Sequence, residues 1–405
     1  AGAATHRCRK YPYNSSMPMN EFQYIVLGLG GLGSAAAYWL ARRAGSAVLG
    51  LEQYELGHAR GSSHDHSRII RLSYHKQNYV ELAKRAYSAW AQLEADSGET
   101  LIIKTGGLDL APANSAIPIM DYTNSLAAAR VPFELLDAQE VRRRYPQWRI
   151  ADDVMALYQP DGGIAAAERA TAAHQRMARV HGATLRDGAP VESVRPLAAG
   201  YEVQAGGETY RCEKLVVANG AWTNHTLAHL GLKLPLTVTQ EQVNYFAVPD
   251  AAQFAPERFP VWIWMDEPSY YGFPVFGAAG VKVAQDCGGA EVTTDTRTFD
   301  RDEGAYERVR AFTKQYLPGA HGELLYSKSC LYCMPPDRDF IVDFVPGHER
   351  CAVAVGAGHA FKFASVLGQI LSELALDGST PSDIAGFSMQ RPILWMDNPP
   401  RNFMV

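Results

Sequence analysis

A short apolar run, Tyr24-Ile25-Val26-Leu27, leads without a break into Gly28-Leu29-Gly30-Gly31-Leu32-Gly33. Four apolar residues in a row read as a strand buried on both faces, as in a parallel sheet. Ser34 to Arg43 is alanine-rich and ends in two arginines, which suits a helix with cations at the negative end of its dipole. Gly45 is the expected C-cap, and a second apolar strand, Ala47 to Leu51, ends at Glu52. Each piece has a physical task. Gly28 permits the tight turn, Gly30 lets a pyrophosphate approach the backbone, and Gly33 lets the helix pack close on the strand. Gly31 and Leu32 lie in the opening turn of the helix, whose free N–H groups face the phosphates. Glu52 stands 19 residues after Gly33, where a carboxylate reaches ribose hydroxyls, with Gln53 beside it. An acid there argues against a 2′-phosphate. Strand, turn, helix, second strand and acid together predict a dinucleotide site, but spacing alone does not separate NAD from FAD.

The remaining chemistry of the chain narrows the class. Of 405 residues, 47% are hydrophobic and 20% charged, which rules out global disorder. The length favours two domains or one large two-part unit. A net charge of −5 gives no reason to expect nucleic acid or an anionic membrane. Six cysteines do not make a disulfide scaffold, and the one C-x-x-C, Cys330 and Cys333, lacks the second pair a structural zinc needs. A redox dithiol is the other reading of that pair, although Pro335 and Pro336 follow at once. Residues 1–20 read as a tag or extension, with Met17 or Met19 the natural start, and 391–405 as a C-terminal tail. No apolar run suits a membrane span or signal peptide, so a cytoplasmic protein is expected.

Farther along, Gly57 to Arg71 is rich in small and polar residues and long enough either to lie over a cofactor or to be a solvated loop. Tyr79, Ala83, Ala86, Trp90 and Leu93 recur at helical spacing and read as core. Val191 to Val194 and Tyr201 to Val203 read as a strand pair. Lys214 to Val217 reads as a buried strand running into the turn Asn219-Gly220-Ala221-Trp222, and Cys351 to Val355 as another leading to Gly356-Ala357-Gly358-His359. In doubly wound sheets ligands sit at such strand ends. Val261 to Met265, Tyr270 to Phe273 and Val281 to Val283 read as successive antiparallel strands. Their aromatics and Lys282 form either a pocket wall or a sheet face packing on itself with Lys282 at an edge; periodicity favours the latter. The expected fold is α/β, a discontinuous Rossmann-like domain from segments 21–98, 160–236 and 322–390, with a mainly antiparallel second domain from 99–159 and 237–321.

The chain resembles the flavin-dependent amine oxidases typified by monomeric sarcosine oxidase, N-methyltryptophan oxidase and L-pipecolate oxidase. The resemblance runs from about Tyr24 to Pro392. It is carried by Gly61-Ser62-Ser63-His64, Ser67-Arg68-Ile69-Ile70-Arg71, Tyr270-Tyr271-Gly272-Phe273-Pro274, Cys330-Leu331-Tyr332 with Pro336-Asp337, and Gly358-His359-Ala360-Phe361-Lys362-Phe363. It implies FAD rather than NAD. It implies hydride transfer from the carbon alpha to nitrogen of a secondary or primary amino acid, hydrolysis of the imine, and reduction of O2 to hydrogen peroxide. By the same resemblance Cys330 bonds covalently to the flavin, Lys282 assists oxygen reduction, and Arg71 and Lys362 clamp the substrate carboxylate. Tyr271 and His359 line the substrate side, and Arg68 lies against the other flavin face. Ser62, Ser63, Ile69, Val191, Asn219, Gly220, Trp222, Gly356 and Gly358 complete the expected cofactor contacts.

Three departures stand out. Asp286 occupies the position of a histidine four residues after the lysine, and either favours a cationic substrate or points away. Cys333 offers a second thiol. Trp262 and Trp264 either cage a cation or restrict substrate size. The expected partners are a small amine or amino acid and O2, in a monomer or small homo-oligomer with no metal. The competing readings are a flavin dehydrogenase with another acceptor and a non-catalytic dinucleotide-binding protein.

Overall fold

The computed structural model describes residues 20–400. Residues 1–19 of the expected extension and the last five residues of the tail lie outside that range. The strand Glu21–Leu27 is central in a parallel array, between Val48–Leu51 and Glu208–Val217, with Val26 level with both Gly50 and Val216. Thr184–Arg186 extends the array beyond Val48–Leu51, and His348–Val355 extends it beyond Glu208–Val217, both in parallel. The apolar run needs both faces because each is covered. Val26, Val48 and Val216 pack under the helices, while Ile25, Leu27, Leu49 and Val217 join the core on the opposite side.

The helical layer is built from Gly31–Ala44, Ala167–Val180 and Ala364–Asp377, with Gln77–Ser97 packed against the last. Tyr79, Ala83, Ala86, Trp90 and Leu93 all face inward on that fourth helix, as their spacing predicts. Contact between the first and last helices is close enough that a Cβ on Gly368 would stand 2.4 Å from the Ala35 Cβ.

The second layer is a nine-stranded, mainly antiparallel sheet. Its longest pairing joins Thr237–Ala247 to Leu324–Met334. Segment 322–390 therefore contributes strands to both sheets. Gly280–Gln285, Tyr270–Phe273 and Val261–Trp264 follow in antiparallel order, as the sequence predicts. Lys282 is not at an edge: its strand is paired on both sides. The two tryptophans neither cage a cation nor bound the pocket. Strand alternation turns Trp262 and Trp264 into an aromatic core with Trp148 and Phe312. The intervening Ile263, and Met265 just past the strand, face the cavity instead.

Between the two layers lies a small three-stranded sheet, Arg68–Ile70, Gly163–Ala165 and Ile102–Lys104. It holds Arg68 at its rim and delivers Arg71 one residue beyond its end. Among the described residues Cys212, Cys287, Cys330, Cys333 and Cys351 are all free thiols, so the C-x-x-C is not an oxidised pair. No described helix is long and apolar enough to cross a membrane.

Candidate active site

One continuous cavity of about 520 Å³ runs from the glycine turn to the antiparallel sheet. Its first end is backbone-rich. Gly28, Gly30, Gly31 and Leu32 line it, and Gly28 has φ +83, with a hypothetical Cβ 2.7 Å from the Ala218 oxygen. Gly33 does not line the cavity. Its missing side chain serves packing, since a Cβ there would meet the Gly28 oxygen at 1.8 Å. Glu52 is buried and accepts from Leu29 N at 2.8 Å and Tyr54 N at 3.1 Å. Burial would raise its pKa, but these bonds and His58 at 3.4 Å outweigh that and hold it below the usual carboxylate range. Gln53, Ser62, Ser63, Ile69, Val191, Asn219, Gly220 and Trp222 line the same cavity, Ile69 from beside Val261 and Phe273 of the antiparallel sheet.

The loop 57–67 docks onto the far sheet. Ser62 Oγ donates to the Leu331 carbonyl, and His64 Nε2 donates to the Ser329 carbonyl at 3.1 Å. Ser63 Oγ accepts from Gly31 N at 2.7 Å. The Arg68 guanidinium donates to the carbonyls of Ser62, His64 and Ser67 at 2.8 Å each. The loop is thus a cover over the cavity, not a solvated excursion.

At the other end Arg71, Lys362, Tyr271, His359 and Asp286 meet, with Gly356 and Gly358 in the adjoining turn. Arg71 lies over the Tyr74 ring at 4.9 Å, and Lys362 Nζ lies 6.0 Å from the same ring. Burial and then Arg71 disfavour the Lys362 ammonium, so its pKa falls to about 7. Among the described residues no carboxylate comes within ion-pair reach of Lys362. Asp286 faces the cavity, but Arg338 Nη2 holds it at 2.8 and 3.0 Å. His359 donates from Nε2 to the Arg338 carbonyl at 3.0 Å and stacks on Phe340 at 4.5 Å. Burial, with Lys362 and Arg338 nearby, keeps this imidazole neutral.

Sequence reasoning missed Asp109, Arg338, Tyr74 and Tyr122. Asp109 accepts from Arg71 Nη1 at 3.4 Å, and Tyr122 lies 5.8 Å from the same guanidinium. Tyr74 lies three residues beyond Arg71, whereas only the fold brings Asp109 and Tyr122 to Arg71 and Arg338 to Asp286.

Two predicted residues stand behind the cavity wall. Lys282 is 2% exposed and donates to the Ser67 carbonyl at 2.8 Å. Cys330 is buried opposite Glu241 on the neighbouring strand. Burial pushes its thiol up to about 11, while Arg68 and Lys282 pull the other way. Cys333, an odd number of residues along the same strand, lines the cavity from the parallel-sheet side, with its thiol pushed up to about 12 by burial alone.

Residues 23–374 match the family model described as FAD dependent oxidoreductase. The chain belongs to that family. A monomeric sarcosine oxidase of Bacillus sp. (strain NS-129) is 32% identical over 381 residues, covering 92% of this chain and 98% of the relative. An N-methyl-L-tryptophan oxidase of Yersinia pestis (strain Pestoides F) is 32% identical over 377 residues, covering 92% and 99%. The solved structure of NikD, an unusual amino acid oxidase essential for nikkomycin biosynthesis, superposes with a TM-score of 0.81 at 27% identity, covering 91% of this chain and 98% of that one. As an FAD-dependent oxidoreductase, the chain has a cavity that fits its cofactor. Its glycine end lacks side chains where a pyrophosphate must approach, an ionised buried carboxylate stands where a ribose needs an acceptor, and the cavity continues far enough to seat a ring system beside Arg68.

Proposed function

We propose that this FAD-dependent oxidoreductase oxidises the C–N bond of a small amino acid with an uncharged side chain, passing the electrons to O2. The carrying observation is that Arg71 and Lys362 converge on the Tyr74 ring inside the cavity that begins at the glycine turn. Arg71 already has Asp109 behind it, but Lys362, with a weakened proton and no carboxylate in ion-pair reach among the described residues, makes this a site completed by an anion. A substrate carboxylate there is fixed in orientation, which places its alpha carbon against the cofactor. Asp286 is already neutralised by Arg338, so it does not recruit a second positive charge. Ile117, Ile263, Met265, Tyr271 and Phe273 give the remaining wall an apolar character.

The flavin supplies the two-electron chemistry when bound. Gly28, Gly30, Gly31 and Leu32 would hold its pyrophosphate, and Glu52 and Gln53 its ribose. Cys330 would attach it covalently: burial, Glu241 and Asp65 raise its thiol, but Arg68 and Lys282 oppose them, whereas no cation offsets the burial of Cys333. Lys282 would place a positive charge beside the oxygen-reducing face. The division into a cofactor part and a substrate part is included in this reading.

Peroxide formation in air against sarcosine, N-methyl aromatic amino acids, L- and D-proline, pipecolate and lysine tests it. Turnover on neutral secondary amino acids with none on lysine is the expected result. Preference for lysine would overturn the side-chain assignment, and a full absence of peroxide with a bleached flavin would overturn oxygen as acceptor. Acid-precipitated protein should stay yellow and lose its colour in Cys330→Ser; loss in Cys333→Ser instead would move the linkage.

A further inference from the structure

Asp65, in the loop that covers the cavity, has a left-handed backbone with φ 82, a conformation that favours glycine. Its side chain is nevertheless 2% exposed. Such a carboxylate persists only where donors and cations surround it. Lys282 Nζ lies 2.7 Å from Oδ2, Lys328 Nζ 3.2 Å from Oδ1, and Arg68 Nη1 3.9 Å from Oδ2. Tyr245 OH donates to the carboxylate at 2.8 Å, and Glu168 accepts from the Asp65 N–H at 2.7 Å. Burial works against ionisation, but Lys282 and Arg68 outweigh it and drive the carboxyl far below its usual range.

Lys282 is held between Asp65, the Ser67 carbonyl and the Phe273 ring 4.7 Å away. The charged and titratable groups that face it are His64, Asp65 and Arg68 from the loop, Tyr245 from one neighbouring strand and Cys330 from the strand beyond, with Lys328 across the shared Asp65 carboxylate. Asp65 is the one carboxylate among them. Desolvation and Arg68 lower the lysine to about 8 even with Asp65 in place. With that carboxylate removed, the charged neighbours left among these groups would be the cations Arg68 and Lys328.

We propose that Asp65 is a positioning residue that keeps Lys282 protonated and fixed in place, so that reoxidation of the enzyme by oxygen depends on Asp65. The inference rests on the proposed oxygen role of Lys282. Asp65 itself does not line the cavity.

The test uses holoenzyme reduced with dithionite and mixed with air-saturated buffer from pH 6 to 9.5, so no substrate has to be known. Asp65→Asn removes the charge. Asp65→Gly removes it while relieving the backbone, which guards against a fold defect. Both variants should reoxidise at least about fivefold more slowly than wild type at pH 8 and recover toward pH 6, a shift of about one pH unit or more in midpoint. Lysine labelled with 13C at Cε gives a readout independent of turnover, with the Lys282 signal assigned by its absence in Lys282→Met. Its titration midpoint should fall in both Asp65 variants. Wild-type rate profiles and midpoints in both, with Lys282→Met still slow, would overturn the inference and leave the lysine's role intact. Slowing that is uniform across pH would mark Asp65 as merely structural and equally overturn it. Wild-type reoxidation in Lys282→Met would remove the oxygen role itself, and the inference with it.

Discussion

Lys362 is buried beside Arg71, and desolvation, followed by the Arg71 charge, places its proton loss near pH 7. A carboxylate ligand opposes that shift, so ligand binding and proton binding are coupled. The cation is present below its depressed pKa and lost above it. Benzoate affinity should therefore be highest below pH 7 and weaken about tenfold per unit above it until the bound-state pKa is passed; a flat profile in a fluorescence titration would contradict the clamp. Arg71→Ala should weaken the same ligand by about 2 kcal/mol at any pH in this range, since Arg71 stays charged. Glu241 gives a different residue-scale expectation. Burial lifts it to about 7, so the folded state binds a proton that the unfolded chain releases, and stability falls as pH rises from the ordinary glutamate range through 7. Glu241→Gln should stabilise the fold by at most about 3 kcal/mol at pH 8 but not at pH 4, read as a higher melting temperature at pH 8 alone. The residues legible in the sequence were those inside recognisable motifs. Asp109 and Arg338 were not, because an acid in a strand or a cation after a turn has no local signature. Their significance comes from facing Arg71 and Asp286 across the fold. Asp65 lay in a segment whose two readings, cover or solvated loop, composition could not separate.

At the scale of elements, the glycine turn is the least tolerant structure in the chain. Gly33→Ala forces a Cβ to within 1.8 Å of a backbone oxygen that cannot yield without moving the strand end. Its expected cost is about 3 kcal/mol or more, seen as loss of bound flavin absorbance together with a lowered melting temperature. Long, strongly patterned elements were read correctly from sequence: the first strand and helix, the helix Gln77–Ser97, and the C-terminal strand and helix. The three strands of the small sheet, Arg68–Ile70, Ile102–Lys104 and Gly163–Ala165, are each only three residues long. No periodicity can show in so few positions, yet this sheet places Arg68 and Arg71. Alternation explains the tryptophans. Trp262 and Trp264 share one face, and only the partner layer decides that this face is core and the Ile263 face is cavity.

At the scale of the molecule, the cavity is a seam between two sheets, and its occupant should tie them together. Flavin-free Cys330→Ser protein should melt below the same variant with excess FAD, and amide exchange should slow on FAD addition in both the Glu21–Leu27 and the Thr237–Ala247 strands. Protection confined to the parallel sheet would show that the second layer takes no part in cofactor binding.

The array that holds the glycine turn is closed by the strand His348–Val355 and by a final helix whose Gly368 presses on Ala35. A ribosome makes chains from the N-terminus onward. The turn thus emerges early and stays without this last strand and helix until nearly all of the protein has been translated. Cofactor capture is therefore an event of the finished polypeptide, and a chain arrested before Ala364 should be made without ever turning yellow.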